Sequence, residues 1–515
     1  MLILTLAFVL LFVLFYQRQR QLTIFKRLRI PGPEPNFVFG NLIDISREGS
    51  HSLFPKWTKE YGPIVGFFFG SRPQLLVSDI ELIRHVLIKD FHKFTDRNKL
   101  IPGGVHPVPV LQNMIIWANY NAWKNIRAAM TPLFSPSKLN AMEPLMMDSI
   151  DKFVTKIGDK ANSGEEINLK SLIYEFMFSC ATKCVFGLDL KLKHETKNFF
   201  EASSPRLDRS ILASIMIFFP PLSFIAYPLR VLWEQIRFYM LWSPEGFVYD
   251  FTKRIIQNRK VTKIHSFDFL QLLMKTKRIK ASGHSDLEMT SEAVKSNNNL
   301  MSRGLHGENL SNEEIVTNAM VLLLASYETT AVTFQFCVHN LVNHQNIQDE
   351  LRTKLRKAVV NGTVSLSTLS EVPLLNRIVM ETLRMFPPVS PFLTRVANEN
   401  YEYQGTVIPK GMPVCIAVSS IHNDPTLWPD PEEFRPARFE SSFEKMSFLA
   451  FGIGPKNCLG LRFAYMELQL TLAKLILMYR LEPGPSTEKK IETKELYATL
   501  SPKNGVFCKV TKLEE

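Results

Sequence analysis

A short loop holds the side chain best suited to chemistry in this sequence. Residues 451–460 read F-G-I-G-P-K-N-C-L-G, and an apolar helical pattern follows at 461–479. The glycines and the proline shape a loop that lets backbone approach something flat or bulky. Cys458 stands at the entrance of the predicted helix, where backbone N–H groups and the positive end of the helix dipole favour a thiolate.

Three kinds of site could use such a loop. A phosphate-binding loop would place Lys and Ser or Thr after its glycines and would need no sulfur. A cysteine nucleophile would need a base, and no His lies close to Cys458 in the sequence. A thiolate in this setting suits a haem iron, to which it supplies electron density that favours O–O cleavage.

A second candidate site lies upstream in a long apolar segment. The pattern S-N-E-E at 311–314 is typical of a capping box that opens a helix. In the apolar run that follows, Glu328, Thr329 and Thr330 are consecutive polar residues. Burying Glu328 costs several kcal/mol unless it is hydrogen-bonded or protonated, so the pattern indicates a functional carboxyl group.

The cysteine loop resembles the haem-binding signature of the cytochrome P-450 family of haem-thiolate monooxygenases. Three further motifs stand in the family's order over nearly the whole chain. The resemblance implies haem b as cofactor, Cys458 as the axial ligand of its iron, and Phe451, Lys456 and Gly460 as cofactor-binding residues of the same loop. The family usually has Arg where Lys456 stands, and a lysine keeps the charge but loses the fork that grips a carboxylate bidentately.

By the same resemblance, residues 325–330 match the oxygen-activation stretch of the family's long central helix. Thr329 would stabilise iron-bound peroxide and Glu328 would feed protons through water, so these two are the predicted catalytic residues. The family normally has Gly where Ser326 stands. Since that Gly opens room for dioxygen, Ser326 predicts a changed pocket with an added hydrogen bond.

The resemblance assigns four residues to the haem propionates. W-K-N-I-R matches the family's W-x-x-x-R, in which Trp123 and Arg127 bind a propionate. Arg97 and Arg395 match positions where related members place further propionate-binding arginines. Arg395 is one residue farther from Arg384 than the family spacing predicts.

A structural motif resembles the family's E-x-x-R. E-T-L-R at 381–384 places Glu381 and Arg384 on one helix face, and F-R-P-A-R-F supplies Arg438. The resemblance implies that these three side chains form a buried network that holds the fold and takes no part in the chemistry.

The N-terminus predicts the compartment. Residues 1–16 are apolar except for Thr5, no charged side chain precedes them, and Arg18 and Arg20 follow. A cleaved signal peptide would carry a positive segment before the run and a small-residue cleavage site after it. We therefore predict a single-pass anchor in the endoplasmic reticulum membrane, with the catalytic domain facing the cytosol.

The rest of the chain is expected to form a linker and one large domain. Residues 17–50 are the basic, proline-rich linker, and residues 51–515 are the catalytic domain. Patterns at 61–79 and 401–418 predict small sheets, and most other segments predict helices. The predicted fold is mainly α with a small β-region, a single haem-enclosing domain behind the anchor.

Two further segments have unusual composition. Residues 211–233 are apolar but contain Pro220, Pro221 and Pro228, which we expect to break the run. The segment is therefore predicted to dip into a membrane rather than cross it. Residues 275–310 are polar and are predicted to form a mobile cytosolic loop.

Composition narrows the class of protein. The chain has 515 residues, 46% of them hydrophobic and 21% charged, with six cysteines, which excludes a disordered chain and a disulfide framework. The net charge of +12 suits membrane lipid or an acidic protein partner. Nucleic acid is excluded as a partner because no basic–aromatic recognition motif is present.

The resemblance implies a membrane-bound monooxygenase that inserts one oxygen atom of O2 into a lipophilic steroid, fatty acid or xenobiotic. Electrons would come from NADPH through a flavoprotein reductase, with cytochrome b5 as a further partner. D-F-L-Q-L-L-M at 268–274 resembles the animal clan of drug- and steroid-oxidising microsomal enzymes. Two alternatives stay open: a lipid-peroxide isomerase or dehydratase of this family, and a non-catalytic haem- or lipid-binding membrane protein.

The resemblance also predicts which residues contact the substrate. These expected substrate contacts are 100–120, 211–233, Ala325, 389–393 and 498–500.

Overall fold

The computed structural model describes residues 1–98, 106–161, 164–189, 211–262, 266–276, 310–359, 363–390, 393–496 and 499–513. Most of the predicted loop at 275–310 lies outside the described residues. Parts of the expected substrate contacts lie outside them as well, namely 100–105, 391–392 and 498.

Helices form most of the described chain, as predicted. They are α1 Leu2–Leu22, α2 Ile24–Leu28, α3 Leu42–Glu48, α4 Ser50–Tyr61, α5 Ile80–Arg84, α6 Tyr120–Met130, α7 Pro136–Ala161, α8 Lys170–Phe186, α9 Ile211–Phe218, α10 Ser223–Tyr239, α11 Pro244–Thr262, α12 Phe269–Met274, α13 Asn312–Asn343, α14 Gln345–Ala358, α15 Leu366–Leu369, α16 Pro373–Met385, α17 Val418–His422 and α18 Leu461–Met478.

Short strands form small sheets, which confirms the predicted β-region. They are β1 Ile64–Phe69, β2 Arg72–Val77, β3 Ile167–Asn168, β4 Thr394–Val396, β5 Tyr401–Tyr403, β6 Thr406–Ile408, β7 Pro413–Ile416, β8 Tyr479–Glu482, β9 Thr493–Leu496, β10 Thr499–Pro502 and β11 Phe507–Lys512. The largest sheet has the order β1-β2-β7-β4, with β2 and β7 parallel and the other pairs antiparallel. The sheet therefore unites both segments in which strands are predicted.

The central helix α13 begins with the predicted capping box. The Ser311 hydroxyl accepts the Glu314 N–H, and the Glu314 carboxylate accepts the Ser311 N–H at 2.9 Å. Helices α8 and α18 pack against α13. Because apolar side chains surround it on these sides, α13 is buried along most of its length.

The E-x-x-R network is confirmed in the described structure. Arg384 donates to the two carboxylate oxygens of Glu381 at 2.8 and 2.9 Å, and Arg438 Nε donates to the same carboxylate at 2.8 Å. Arg384 also donates to the backbone carbonyls of His422 and Pro431. Every charge in this group has a partner, so the network ties α16 to the segments that precede the cysteine loop.

The N-terminal helix α1 extends beyond the apolar run and docks on the body. The Arg18 guanidinium donates to the backbone carbonyls of Phe37, Val38 and Gly70 at 2.7–3.2 Å. The proline-rich residues 30–35 form neither helix nor strand, and the Pro31 carbonyl accepts the Gly66 N–H of β1 at 2.8 Å. The predicted linker is therefore held against the body at its start and near its middle.

Among the described helices, length and apolar composition single out α13 as a candidate membrane span, and α13 is mostly buried inside the protein. Its burial identifies α13 as a core helix of the body.

The apolar segment 211–233 is only partly broken by its prolines. Pro220 and Pro221 start a 3-10 turn between α9 and α10, as predicted. Pro228 lies inside α10, so the prediction that it breaks the chain is wrong. A proline inside a helix removes one backbone hydrogen bond, and α10 continues through Pro228 as α7 continues through Pro144.

Candidate active site

The cysteine loop is held by backbone geometry that requires glycine. Gly454 has φ +78°, and a Cβ there would lie 2.1 Å from the Leu87 carbonyl oxygen. The Cys458 N–H donates to the Phe451 carbonyl at 2.8 Å, which closes the loop before α18 begins at Leu461. The Phe451 ring packs on Tyr465 in the first turns of α18, with centroids 5.3 Å apart. The loop is therefore a rigid support for Cys458.

The Cys458 thiol faces an interior space. The side chain is exposed, yet surrounding protein desolvates it enough to raise its pKa. A thiol that lines a space enclosed by surrounding protein accounts for both observations. The Gly460 N–H and the charges of Arg127 and Arg97 act in the opposite direction but do not outweigh burial. The predicted effect of the helix entrance therefore does not produce a thiolate by itself, and a bound metal ion would be needed to deprotonate Cys458 outright.

Two arginines donate to the residues just before Cys458. Arg97 Nη2 donates to the Lys456 carbonyl at 3.0 Å. Arg127, on α6, donates to the Asn457 carbonyl at 2.9 Å and to Asn457 Oδ1 at 2.6 Å. The sequence did not predict a role for Asn457, because an asparagine at this position matches no catalytic motif. In the structure its side-chain oxygen accepts a hydrogen bond from Arg127.

Lys456 and Trp123 are also brought together. Both side chains are buried, and Lys456 Nζ lies 4.6 Å from the centre of the Trp123 ring. A cation over an aromatic face is attracted by the ring quadrupole. Lys456, which stands where the family usually has arginine, therefore places its positive charge in the cluster, where the Trp123 ring stabilises it.

Arg395 completes a group of cations. It lies on β4 and is fully buried, and its Nη1 donates to the Thr394 carbonyl at 2.7 Å. Its Nε and Nη2 have no hydrogen-bond partner, and neither has Nε of Arg127. Burial and then the charge of Arg97 lower the pKa of Arg395 to about 9. Burial and then the charge of Arg127 lower the pKa of Arg97 to about 10.

The described structure pairs neither Arg395 nor Arg127 with a carboxylate. Buried cations that repel one another are costly unless an anion joins them. The cluster is therefore suited to an anionic group bearing carboxylates, placed beside a cysteine that faces interior space.

The predicted oxygen-activation turn lies in the middle of α13. Ala325 is exposed there although most of the helix is buried. The Thr329 hydroxyl donates to the Ala325 carbonyl at 2.8 Å, and the Thr330 hydroxyl donates to the Ser326 carbonyl. The predicted added hydrogen bond of Ser326 is made within the helix, to the Leu323 carbonyl at 3.1 Å. Such hydroxyl bonds to preceding carbonyls bend helices.

Glu328 is a buried carboxyl group on the same turn. Burial raises its pKa to about 7, and the Thr499 hydroxyl on β10 opposes the shift. A pKa near neutrality lets a carboxyl group both hold and release a proton under ordinary conditions. Thr499 belongs to the expected substrate segment 498–500, so the structure brings the carboxyl group next to that segment.

The structure contains a further buried carboxyl group, that of Glu467, which the sequence analysis does not predict. Glu467 lies on α18, is 1% exposed, and has no hydrogen-bond partner on either oxygen. The signal was present, because Glu467 is a lone acid in an apolar helical pattern, as Glu328 is.

The chain is similar to known proteins over nearly its whole length. Residues 30–509 match the family described as cytochrome P450. The chain belongs to the cytochrome P450 family. Cytochrome P450 3A11 of Mus musculus is 30% identical over 97% of this chain and 94% of the relative. Cytochrome P450 3A1 of Rattus norvegicus is 29% identical over 96% and 93%, and cytochrome P450 3A29 of Sus scrofa is 29% identical over 90% and 88%.

Membership of the cytochrome P450 family confirms the predicted monooxygenase and its cofactor, haem b. The described residues fit that cofactor. Haem b is flat and carries two carboxylates and an iron, and the site offers N–H groups of Arg395 and Arg127 that lack an acceptor, beside the Cys458 thiol. The similarity of the protein sequences extends to animal enzymes of the predicted clan.

Proposed function

We propose that this cytochrome P450 oxidises lipophilic molecules, such as steroids, fatty acids or xenobiotics, at a membrane, with electrons from NADPH through a flavoprotein reductase and with cytochrome b5 as a further donor. The observation that carries the proposal is Cys458 beside Arg395 and Arg127, whose guanidinium groups keep N–H donors without an acceptor. When bound, haem b supplies the oxygen chemistry. The protein's own residues hold the cofactor, move protons and exclude water.

The cofactor-binding roles follow from the contacts around the loop. Cys458 binds the iron, and Arg395 and Arg127 offer free N–H groups to the propionates. Arg97 adds positive charge beside them and holds the loop through the Lys456 carbonyl. Trp123 and Lys456 cover one side of the cluster, Phe451 closes the loop, and Gly460 donates its N–H to the sulfur.

The proton-handling roles belong to Thr329 and Glu328. The Thr329 hydroxyl donates to the Ala325 carbonyl, so its oxygen lone pairs remain able to accept a hydrogen bond. Glu328 takes up a proton and passes it on because its pKa lies near neutrality. This pair supports oxygen activation over the isomerase or dehydratase alternative, which needs no proton delivery.

We place the protein in the endoplasmic reticulum membrane through a single-pass anchor. The described side chains of α1 include exposed Leu4, Phe8 and Phe12. The anchor and the apolar segment 211–233 are joined through aromatic contacts of the linker, since Phe37 stacks on Phe15 and Phe39 meets Phe218 edge-on. Together they make a continuous apolar surface that a membrane would cover.

The central test is the absorption spectrum of the reduced, carbon-monoxide-bound protein. We expect the red-shifted Soret band of a haem-thiolate, and its loss in Cys458→Ala. A band without that shift, or a shift retained in Cys458→Ala, would overturn Cys458 as ligand. NADPH and reductase should then convert a lipophile that shifts the spin state, whereas NADPH consumption without any product would favour the non-catalytic alternative.

The role of Thr329 is tested separately. In Thr329→Ala, NADPH oxidation should continue while the product formed per NADPH falls, because the hydroxyl oxygen that can accept a hydrogen bond and position a proton is gone. Thr329→Ser should restore most of the product yield. Equal yields in wild type and Thr329→Ala would remove Thr329 from the mechanism.

A further inference from the structure

Glu467 lies at the crossing of three core helices and has no assigned role. Its neighbours are Cys180 on α8 and Thr330 on α13. Neither completes a hydrogen bond with the carboxyl group, and no ion pair reaches it in the described part of the chain. Since an unpaired buried carboxylate is costly, the geometry favours the protonated acid.

Thr330 connects Glu467 to the oxygen-activation turn. The Thr330 hydroxyl has one proton, which it donates to the Ser326 carbonyl. A protonated Glu467 can donate to the free lone pairs of the Thr330 oxygen and leave that bond intact. An ionised Glu467 can only accept, so it competes with the Ser326 carbonyl for the single hydroxyl proton.

That competition changes the shape of the turn. Hydroxyl bonds to the carbonyl four residues back bend a helix, and Thr329 and Thr330 make such bonds side by side. Losing the Thr330 bond removes one cause of the bend at the residue next to Thr329. The position of the Thr329 hydroxyl therefore depends on whether Glu467 holds its proton.

We propose that Glu467 is a positioning residue for Thr329. Protonated Glu467 maintains the bend of the oxygen-activation turn through the Thr330 hydroxyl, and the bend relaxes when Glu467 loses its proton to water. The proposal rests on the proposed function and deepens it. Glu467 would make the coupling of oxygen activation to product depend on pH through a residue remote from the substrate.

The surroundings of Glu467 contain few groups that compete for the proton. Helix α8 presents the Cys180 and Cys184 thiols. The contact with Cys184, then burial and the nearby Glu467 carboxyl group raise the pKa of Cys180, so the Cys180 thiol keeps its own proton and does not take that of Glu467. Helix α13 presents Thr330, which does not titrate. Burial raises the pKa of Glu467 to about 8, and the nearby Cys180 and Thr330 oppose that shift without outweighing it. No charged side chain of α7, α16 or α18 contributes to the shift.

The test uses the haem-loaded protein with carbon monoxide as the probe and needs no turnover. The C–O stretching frequency of the reduced complex reports the geometry of the turn that faces the bound gas. In a Glu328→Gln background, which removes the other titrating acid, we expect this frequency to shift with pH. Adding Glu467→Gln should abolish the shift, and the infrared band of a buried carboxylic acid should disappear with it.

Variants of Thr330 separate the hydroxyl link from a packing effect. Thr330→Val should abolish the pH-dependent shift, whereas Thr330→Ser, which keeps the hydroxyl, should retain it. A shift that persists in Glu467→Gln or in Thr330→Val would overturn the proposal. Should Glu467→Gln fail to fold, the comparison of Thr330→Val with Thr330→Ser still tests whether the hydroxyl transmits the pH-dependent shift. Failure of this test with a normal thiolate Soret band and normal product would leave the proposed function standing.

Discussion

Two buried groups of charged side chains in this protein are satisfied in different ways. Around Glu381, one carboxylate is shared by Arg384 and Arg438, and the remaining donors bind backbone carbonyls. Around Arg395, buried guanidinium groups repel one another and leave N–H groups without acceptors. Both groups are buried and rich in arginine, but only the first one is complete within the protein.

The difference separates charges that hold the fold from charges that await a ligand. A buried network with all partners present keeps its geometry whether or not a cofactor is bound. A buried cluster with unpaired cations is held in place by packing and is completed by an anion from outside. Counting partners therefore distinguishes the two roles, where burial or residue type alone does not.

The largest expected effect falls on the complete network. Arg384→Ala leaves Glu381 buried with its best donor gone, and breaking a buried pair costs about 3–5 kcal/mol. The free energy of unfolding, measured by denaturant titration, should fall by that amount. Arg435→Ala is the matched control, because its ion pairs with Asp430 and Glu433 are exposed and should matter little. Equal losses for the two variants would contradict the comparison.

Arg395→Met should affect haem binding more than the free energy of unfolding, the opposite of what we expect for Arg384→Ala. Stability should change little, since one repelling cation is removed, but haem should leave roughly ten- to hundredfold faster because a hydrogen bond to a charged group contributes about 1.5–3 kcal/mol. Haem transfer to an excess of apomyoglobin measures this rate. Arg254→Met, at an exposed helical ion pair, should leave it unchanged. A large loss of stability with normal haem retention would place Arg395 with the structural network instead.

Glu467 is a third kind of buried ionisable group, one that stays protonated and therefore neutral. Burial raises its pKa to about 8 in the folded state, above its value in the unfolded chain. The folded protein therefore binds more protons between those two values, and stability falls as pH rises through this window. Between about pH 6 and pH 7, wild type should lose about 1.4 kcal/mol more than Glu467→Gln. Parallel pH profiles for the two proteins would show that Glu467 is ionised or exposed.

The smallest expected effect is that of Lys456→Arg. The lysine charge already lies over the Trp123 ring, and an arginine can occupy the same place, so we expect haem retention to change by about 0.5 kcal/mol or less. Haem transfer again measures the change. A tenfold gain in retention would mean that the guanidinium fork reaches a propionate that the lysine cannot.

Local patterns in the sequence predicted the elements whose causes are local. The capping box at Ser311 and Glu314 and the glycine-rich loop before Cys458 have short-range geometry, and both are present in the structure. The prediction that Pro228 breaks the chain was wrong because a single proline removes one backbone hydrogen bond, and the other turns of α10 still form. Glu467 was overlooked although it satisfies the rule that identified Glu328, a lone acid in an apolar helix.

The sequence by itself determined the family, the cofactor and the identity of the chemical groups, because these follow from residue types at fixed spacing along the chain. Only the tertiary structure decided which charges are complete and which are not. The resemblance predicts different roles for Arg384 and Arg395, and the structure shows the difference in their partners: Arg384 meets a carboxylate, whereas Arg395 has one backbone carbonyl, a neighbouring cation and a ring. The reason is physical: the free energy of a buried charge depends on what surrounds it in space, and those surroundings come from distant parts of the chain.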